Sequence, residues 1–172
     1  VIVGIFLIGG SKSRAEADIV AGGTLNLGTS ADRADLVIGR QIGSTGGGAN
    51  GTFDLTGGTF NAYIDSLAIG AKPNSARGLT QGALAFEAGT VEANTITLGE
   101  RTSGGSNGTV KGTLNFAGGT LIAGSILKGA GNGAGTNDEA NFNWTGGTLN
   151  VDQFGLDLTQ TDTDDDSFLS PG

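Results

Sequence analysis

Short runs in which apolar and polar residues alternate recur along this chain, and glycine ends each of them. Thr52-Phe53-Asp54-Leu55, Ala83-Leu84-Ala85-Phe86, Thr113-Leu114-Asn115-Phe116 and Asn141-Phe142-Asn143-Trp144 share one pattern. A period of two is that of a strand with one buried face. Phe53, Leu84, Leu114 and Phe142 are therefore expected to form one inward column, with Leu55, Phe86, Phe116 and Trp144 as the next. A Gly-Gly or Ala-Gly pair precedes a second run at Thr24-Leu25-Asn26-Leu27, Thr59-Phe60-Asn61-Ala62, Thr90-Val91-Glu92-Ala93, Thr120-Leu121-Ile122-Ala123 and Thr148-Leu149-Asn150-Val151. Here Leu25, Phe60, Val91, Leu121 and Leu149 are expected inside, and the threonines form an outward column. A third run closes on glycine at Leu36–Gly39, Leu67–Gly70, Ile96–Gly99 and Ile126–Gly129, with a degraded copy at Phe154-Gly155-Leu156.

The glycine pair and its threonine return at intervals of 35, 31, 30 and 28 residues. A repeat of this length means one supersecondary unit stacked on copies of itself. Three short strands per ~30-residue coil, none able to close a core alone, give an all-β parallel β-solenoid, a β-helix of about five coils. Loops at 40–50, 71–81, 100–111 and 130–139 have such regular lengths that they are expected to leave one edge of the stack. The chain divides into an N-terminal apolar strand and linker at 1–20, solenoid repeats at 21–160 and an acidic segment at 161–172.

Composition fits a slim core: 34 glycines and 6% aromatic residues among 172. Helix is disfavoured, because glycine loses much backbone entropy and no stretch keeps a 3.6-residue apolar period. The net charge of −8, with few Lys and Arg, argues against a nucleic-acid partner. Without Cys or His there is no disulfide, no thiolate metal site and no imidazole base. No paired carboxylates occupy matching positions of adjacent coils, so an enzyme is not expected. The missing Met and the opening Val1-Ile2-Val3 suggest a processed or excised piece.

Val1 to Ile8 is apolar but much shorter than the ~20 residues of a membrane helix. Leaving it in water is unfavourable by ~25 cal/mol per Å². Val1, Ile2, Val3, Ile5, Phe6, Leu7 and Ile8 are therefore the expected assembly residues, an added strand that caps the first coil or completes a neighbouring subunit. Asp162, Asp164 and Asp166 offer alternate hard oxygen ligands, as calcium loops do, but lack the central glycine and closing glutamate of an EF-hand. A solvated acidic loop is the plainer reading. Arg40, Lys72, Arg101 and Lys128 stand within two residues of the third-run glycine, which suggests a basic stripe for acidic glycans or scattered loop charge. Glycine-rich loops lack the Gly-Lys-Ser/Thr of a phosphate cradle. Trp144 and Tyr63 are the candidates for stacking on sugar, with Trp144 expected in the core.

The run Phe142 to Val151, the segment Phe154 to Gln160, the closing Leu169-Ser170-Pro171-Gly172, the Gly-Gly-Thr-Leu copies and Ala34 to Gly39 resemble repeats of large secreted bacterial β-solenoid proteins. Those are the autotransporter-type and PEP-CTERM-associated repeats, and the likeness runs from about Ala21 to the end. The resemblance implies export to the cell surface or matrix and a structural or adhesive role without a cofactor. The leading expectation is a self-assembling extracellular fibre, sheath or matrix subunit. The alternative is a glycan-binding module, with a polysaccharide lyase behind it.

Overall fold

The computed structural model describes residues 4–10, 14–42, 47–73, 78–102, 108–129, 138–155 and 169–171. Thirteen strands run through them: β1 (Ile5–Ile8), β2 (Arg14–Asp18), β3 (Thr24–Leu27), β4 (Ala34–Arg40), β5 (Ala49–Leu55), β6 (Thr59–Lys72), β7 (Thr80–Phe86), β8 (Thr90–Arg101), β9 (Val110–Phe116), β10 (Thr120–Lys128), β11 (Glu139–Trp144), β12 (Thr148–Gly155) and β13 (Leu169–Pro171). One sheet has the order β1-β4-β6-β8-β10-β12, with β3 also on β6. The other has the order β13-β11-β9-β7-β5-β2. Every pairing is parallel. This is a parallel β-solenoid of about four turns, and the described residues contain no helix.

Each coil contributes its first run to one sheet and its second and third runs to the other. In β6, β8, β10 and β12 the latter two are one continuous strand that bends without breaking. The bend comes from two consecutive outward residues between inward ones. In β6, Asp65 and Ser66 are exposed between buried Ile64 and Leu67. Asn94 and Thr95 stand likewise between buried Ala93 and Ile96 in β8, and the half-buried Gly124 and Ser125 between buried Ala123 and Ile126 in β10. The Asn94 amide donates to Asp65 Oδ1 at 2.6 Å, so this corner is tied from rung to rung.

The first-run columns stack as the alternation predicts: Phe53, Leu84, Leu114 and Phe142 are in register, and so are Leu55, Phe86, Phe116 and Trp144. The second-run threonines do not form one column. Thr24 lies opposite Thr59, and Thr90, Thr120 and Thr148 align, but β6 meets β8 with Ala62 opposite Val91. The register is thus offset by two residues from the motif alignment. Because side chains alternate, an offset of two leaves every inward residue inward. Phe60 occupies the extra interior position, fully buried, with ring centroids 6.1 Å from both Phe53 and Phe86. The chain Phe6, Phe53, Phe60, Phe86, Phe116 runs up the wider part of the core in ring contacts of 5.0–6.1 Å. Such aromatic pairs add about 0.5–1.5 kcal/mol each beyond area burial.

At the end of the third run the two sheets converge. A Cβ on Gly70 would lie 2.3 Å from the Lys111 carbonyl oxygen, and φ is +72°. Only glycine permits both the approach and the dihedral. Gly39 and Gly99 make the same corner with φ of +70° and +67°. The described flanks of the following loops stack as well, with the Thr80 amide donating to the Thr109 carbonyl at 2.9 Å. The described ends of these loops thus lie on one edge of the stack.

Candidate assembly interface

Among the described residues the stack has two open ends, and the apolar N-terminal segment forms part of one. Ile5 to Ile8 pair in parallel with Asp35 to Ile38 of β4, in the place a third run occupies in every other coil. Gly9 repeats the corner of Gly39 and Gly70, with φ of +74° and no room for a Cβ beside the Asn50 carbonyl. Ile8 is buried and Phe6 half-buried, its ring centroid 5.9 Å from that of Phe53. Ile5 remains 70% exposed and Leu7 40%. β2 and β3 complete this end, each paired on one side only among the described residues. Val1, Ile2 and Val3 lie outside the described residues.

At the other end β12 pairs with β10 alone among the described residues, and β13 adds a further rung to the second sheet, with Leu169 opposite Phe142 and Pro171 opposite Trp144. Proline is tolerated there because an edge strand has a side on which a missing donor breaks no ladder bond. Trp144 departs from the expected core position. It is in register with buried Phe116, yet it is 41% exposed and its Nε1 donates to the Gly146 carbonyl at 2.9 Å. An inward column position buries a side chain only where enough coils lie on both sides. Leu149 and Val151 are likewise only partly buried where Leu121 and Ala123 are fully so.

The expected basic stripe breaks up. Lys72 and Arg101 are opposite one another, but Arg40 lies opposite Ala71 and Lys128 opposite Leu98. Lys72 and Arg101 are interior, 1% and 0% exposed. Arg101 grips Asp138 with two bonds of 2.7 Å, Nε to Oδ2 and Nη2 to Oδ1, and Nη2 also donates to the Gly108 carbonyl at 2.5 Å. Asp138 Oδ1 accepts a third bond, from the Val110 amide at 2.8 Å. Burial, then the neighbouring Arg101 charge, lower the Lys72 pKa, while Asp138 opposes them. With both carboxylate oxygens engaged, this cluster pins the loop bases against the core. A sequence signal existed: Gln41, Lys72 and Arg101, all buried, each follow a corner glycine by two residues.

On the outer face, Arg33 projects from an extra loop between β3 and β4. It donates to the carbonyls of Ile64 at 3.2 Å and Glu92 at 3.3 Å, pairs with the Glu92 carboxylate, and lies 5.8 Å from the centroid of the Tyr63 ring. One side chain thereby clamps strands β6 and β8. Asp162, Asp164 and Asp166 lie outside the described residues. Among the described residues no three acidic side chains gather into a cation site, and no helix is long and apolar enough to cross a membrane. Comparison with known proteins finds no matching family model, no matching curated protein and no matching solved structure.

Proposed function

We propose that this chain is a non-catalytic structural subunit that associates with copies of itself into a secreted or cell-surface bacterial fibre, sheath or matrix. The observation that carries the reading is the pair of ends left open among the described residues. Each presents parallel strand edges, and the N-terminal one adds the exposed apolar side chains of Ile5 and Leu7. Unpaired edges of this kind template further strands unless they are covered. The resemblance to exported solenoid repeats supports the location.

Light scattering and negative-stain electron microscopy of the full chain test it. Rods, fibres or defined oligomers are expected, and a monodisperse monomer at all concentrations overturns the proposal. Deleting residues 1–10 should abolish assembly, but it also removes Ile8 from the core. The Ile5→Lys/Leu7→Lys double variant is the cleaner probe, since both side chains already meet solvent. It should keep the circular dichroism spectrum and lose assembly.

A glycan-binding module is the second reading. Trp144 and Tyr63, 41% and 37% exposed, are the observation in its favour, because exposed aromatic rings stack on sugars. Saturable binding of an acidic polysaccharide by a chain that does not assemble would select it.

A further inference from the structure

The two ends of the stack are stepped, and the steps are complementary. At the N-terminal end β1 pairs with β4, which shares a coil with β2 and β3, so β1 stands one rung beyond them. At the C-terminal end β13 pairs with β11, which shares a coil with β12, so β13 stands one rung beyond β12. The projecting strands belong to opposite sheets. We propose that copies join head to tail, β1 of one sitting on β12 of the next while its β2 sits on the other's β13. This rests on the self-association proposed above and supplies its register.

No strand is claimed twice in such a joint. A projecting strand at each end enters the recess of the other, and the result is one mixed rung built from two molecules. Parallel strands make translation along the stack the natural relation, because one edge of a parallel sheet complements the opposite edge of its copy. The segment Val1 to Gly9 (VIVGIFLIG) also repeats the pattern of Leu121 to Gly129 (LIAGSILKG), which fills the second and third runs of an interior coil.

Two lines of paired residues set the register. One passes through Phe6, Leu36, Leu67, Ile96, Ile126 and Phe154; the other through Ala17, Phe53, Leu84, Leu114, Phe142 and Leu169. Continuing both by one rung sets Phe6 opposite Phe154 and Ala17 opposite Leu169 across the joint. At the neighbouring register positions Ile5 then pairs with Gln153, and Asp18 with Ser170.

The chain has no cysteine, so introduced thiols report without background. Same-register residues on adjacent strands, about 4.8 Å apart, fall in the ~4.4–6.8 Å Cα separation of disulfides. Mixed Ile5→Cys and Gln153→Cys chains should give a cross-linked dimer under mild oxidation. Each single variant alone should stay monomeric on a non-reducing gel, and the Ile5→Cys/Gln153→Cys double variant should give a ladder. Ile5→Cys mixed with Ser125→Cys, one rung deeper, should not cross-link. Dimers of Ile5→Cys alone would overturn the head-to-tail joint. Assemblies seen by microscopy without the Ile5–Gln153 cross-link would overturn the register and leave self-association standing. Neither assemblies nor cross-link would overturn both.

Discussion

Arg101 and Asp138 meet inside the stack edge to edge, with Nε 2.7 Å from Oδ2 and Nη2 2.7 Å from Oδ1. Breaking such a pair from one side strands a charge in the interior, which is destabilising by about 3–5 kcal/mol. Asp138→Ala should lose that much in urea denaturation. The partly exposed ion pair of Lys111 and Glu139, on adjacent strands, is the control. Glu139→Gln should change stability by less than about 1 kcal/mol.

The neighbouring Lys72 gives an alkaline signature. Its folded pKa lies below the ordinary 10.5, so between the two values the unfolded chain binds more protons. Stability from this group is therefore lowest while the amine is charged and rises with pH through the folded pKa toward 10.5. Lys72→Met should flatten that rise. The check is the difference in unfolding free energy between the two proteins from neutral pH to about pH 10.

Two glycines separate dihedral strain from crowding. Gly22 has φ of +77° but nothing within 4 Å of the point where a Cβ would stand, whereas Gly70, at +72°, has the Lys111 carbonyl oxygen at 2.3 Å. Gly22→Ala should be destabilising by about 1–2 kcal/mol, the left-handed term alone. Gly70→Ala should lose clearly more, measured as the shift in urea midpoint at unchanged slope.

Phe86 sits between Phe60 and Phe116, with centroids 6.1 and 5.0 Å away, and is fully buried. Phe86→Ala should be destabilising by about 3–5 kcal/mol through lost transfer energy and the cavity left behind. Trp144→Ala, in the same column but exposed, should lose much less. Thermal unfolding of the two variants side by side tests whether column position or actual cover sets the effect.

The first-run columns were legible because strict alternation leaves a single way to face Phe53, Leu84, Leu114 and Phe142 inward. The β6–β8 offset was not, because aligning the Gly-Gly-Thr motifs hides the two residues by which these coils differ. Lys72 and Arg101 read as surface charge, since nothing in residue type announces that Asp138, 37 positions after Arg101, will meet it in the core. Trp144 failed for a geometric reason: its place in the pattern is interior, but it stands near the end of the stack. For the assembly segment, apolarity predicted a partner strand, and β4 takes the Ile5–Ile8 part of it.

The shifted seam between β6 and β8 imposes a parity rule on this architecture. Coils can grow or shrink by residues in even numbers and keep their greasy side hidden, as the Phe60 turn does. A single inserted residue within a straight run would turn the rest of that strand inside out, whereas the bend absorbs one, as β6 does with Asp65 and Ser66 facing the lone Asp35 of β4. Length variation should therefore come in pairs inside the runs and singly only at the bends and in the loops.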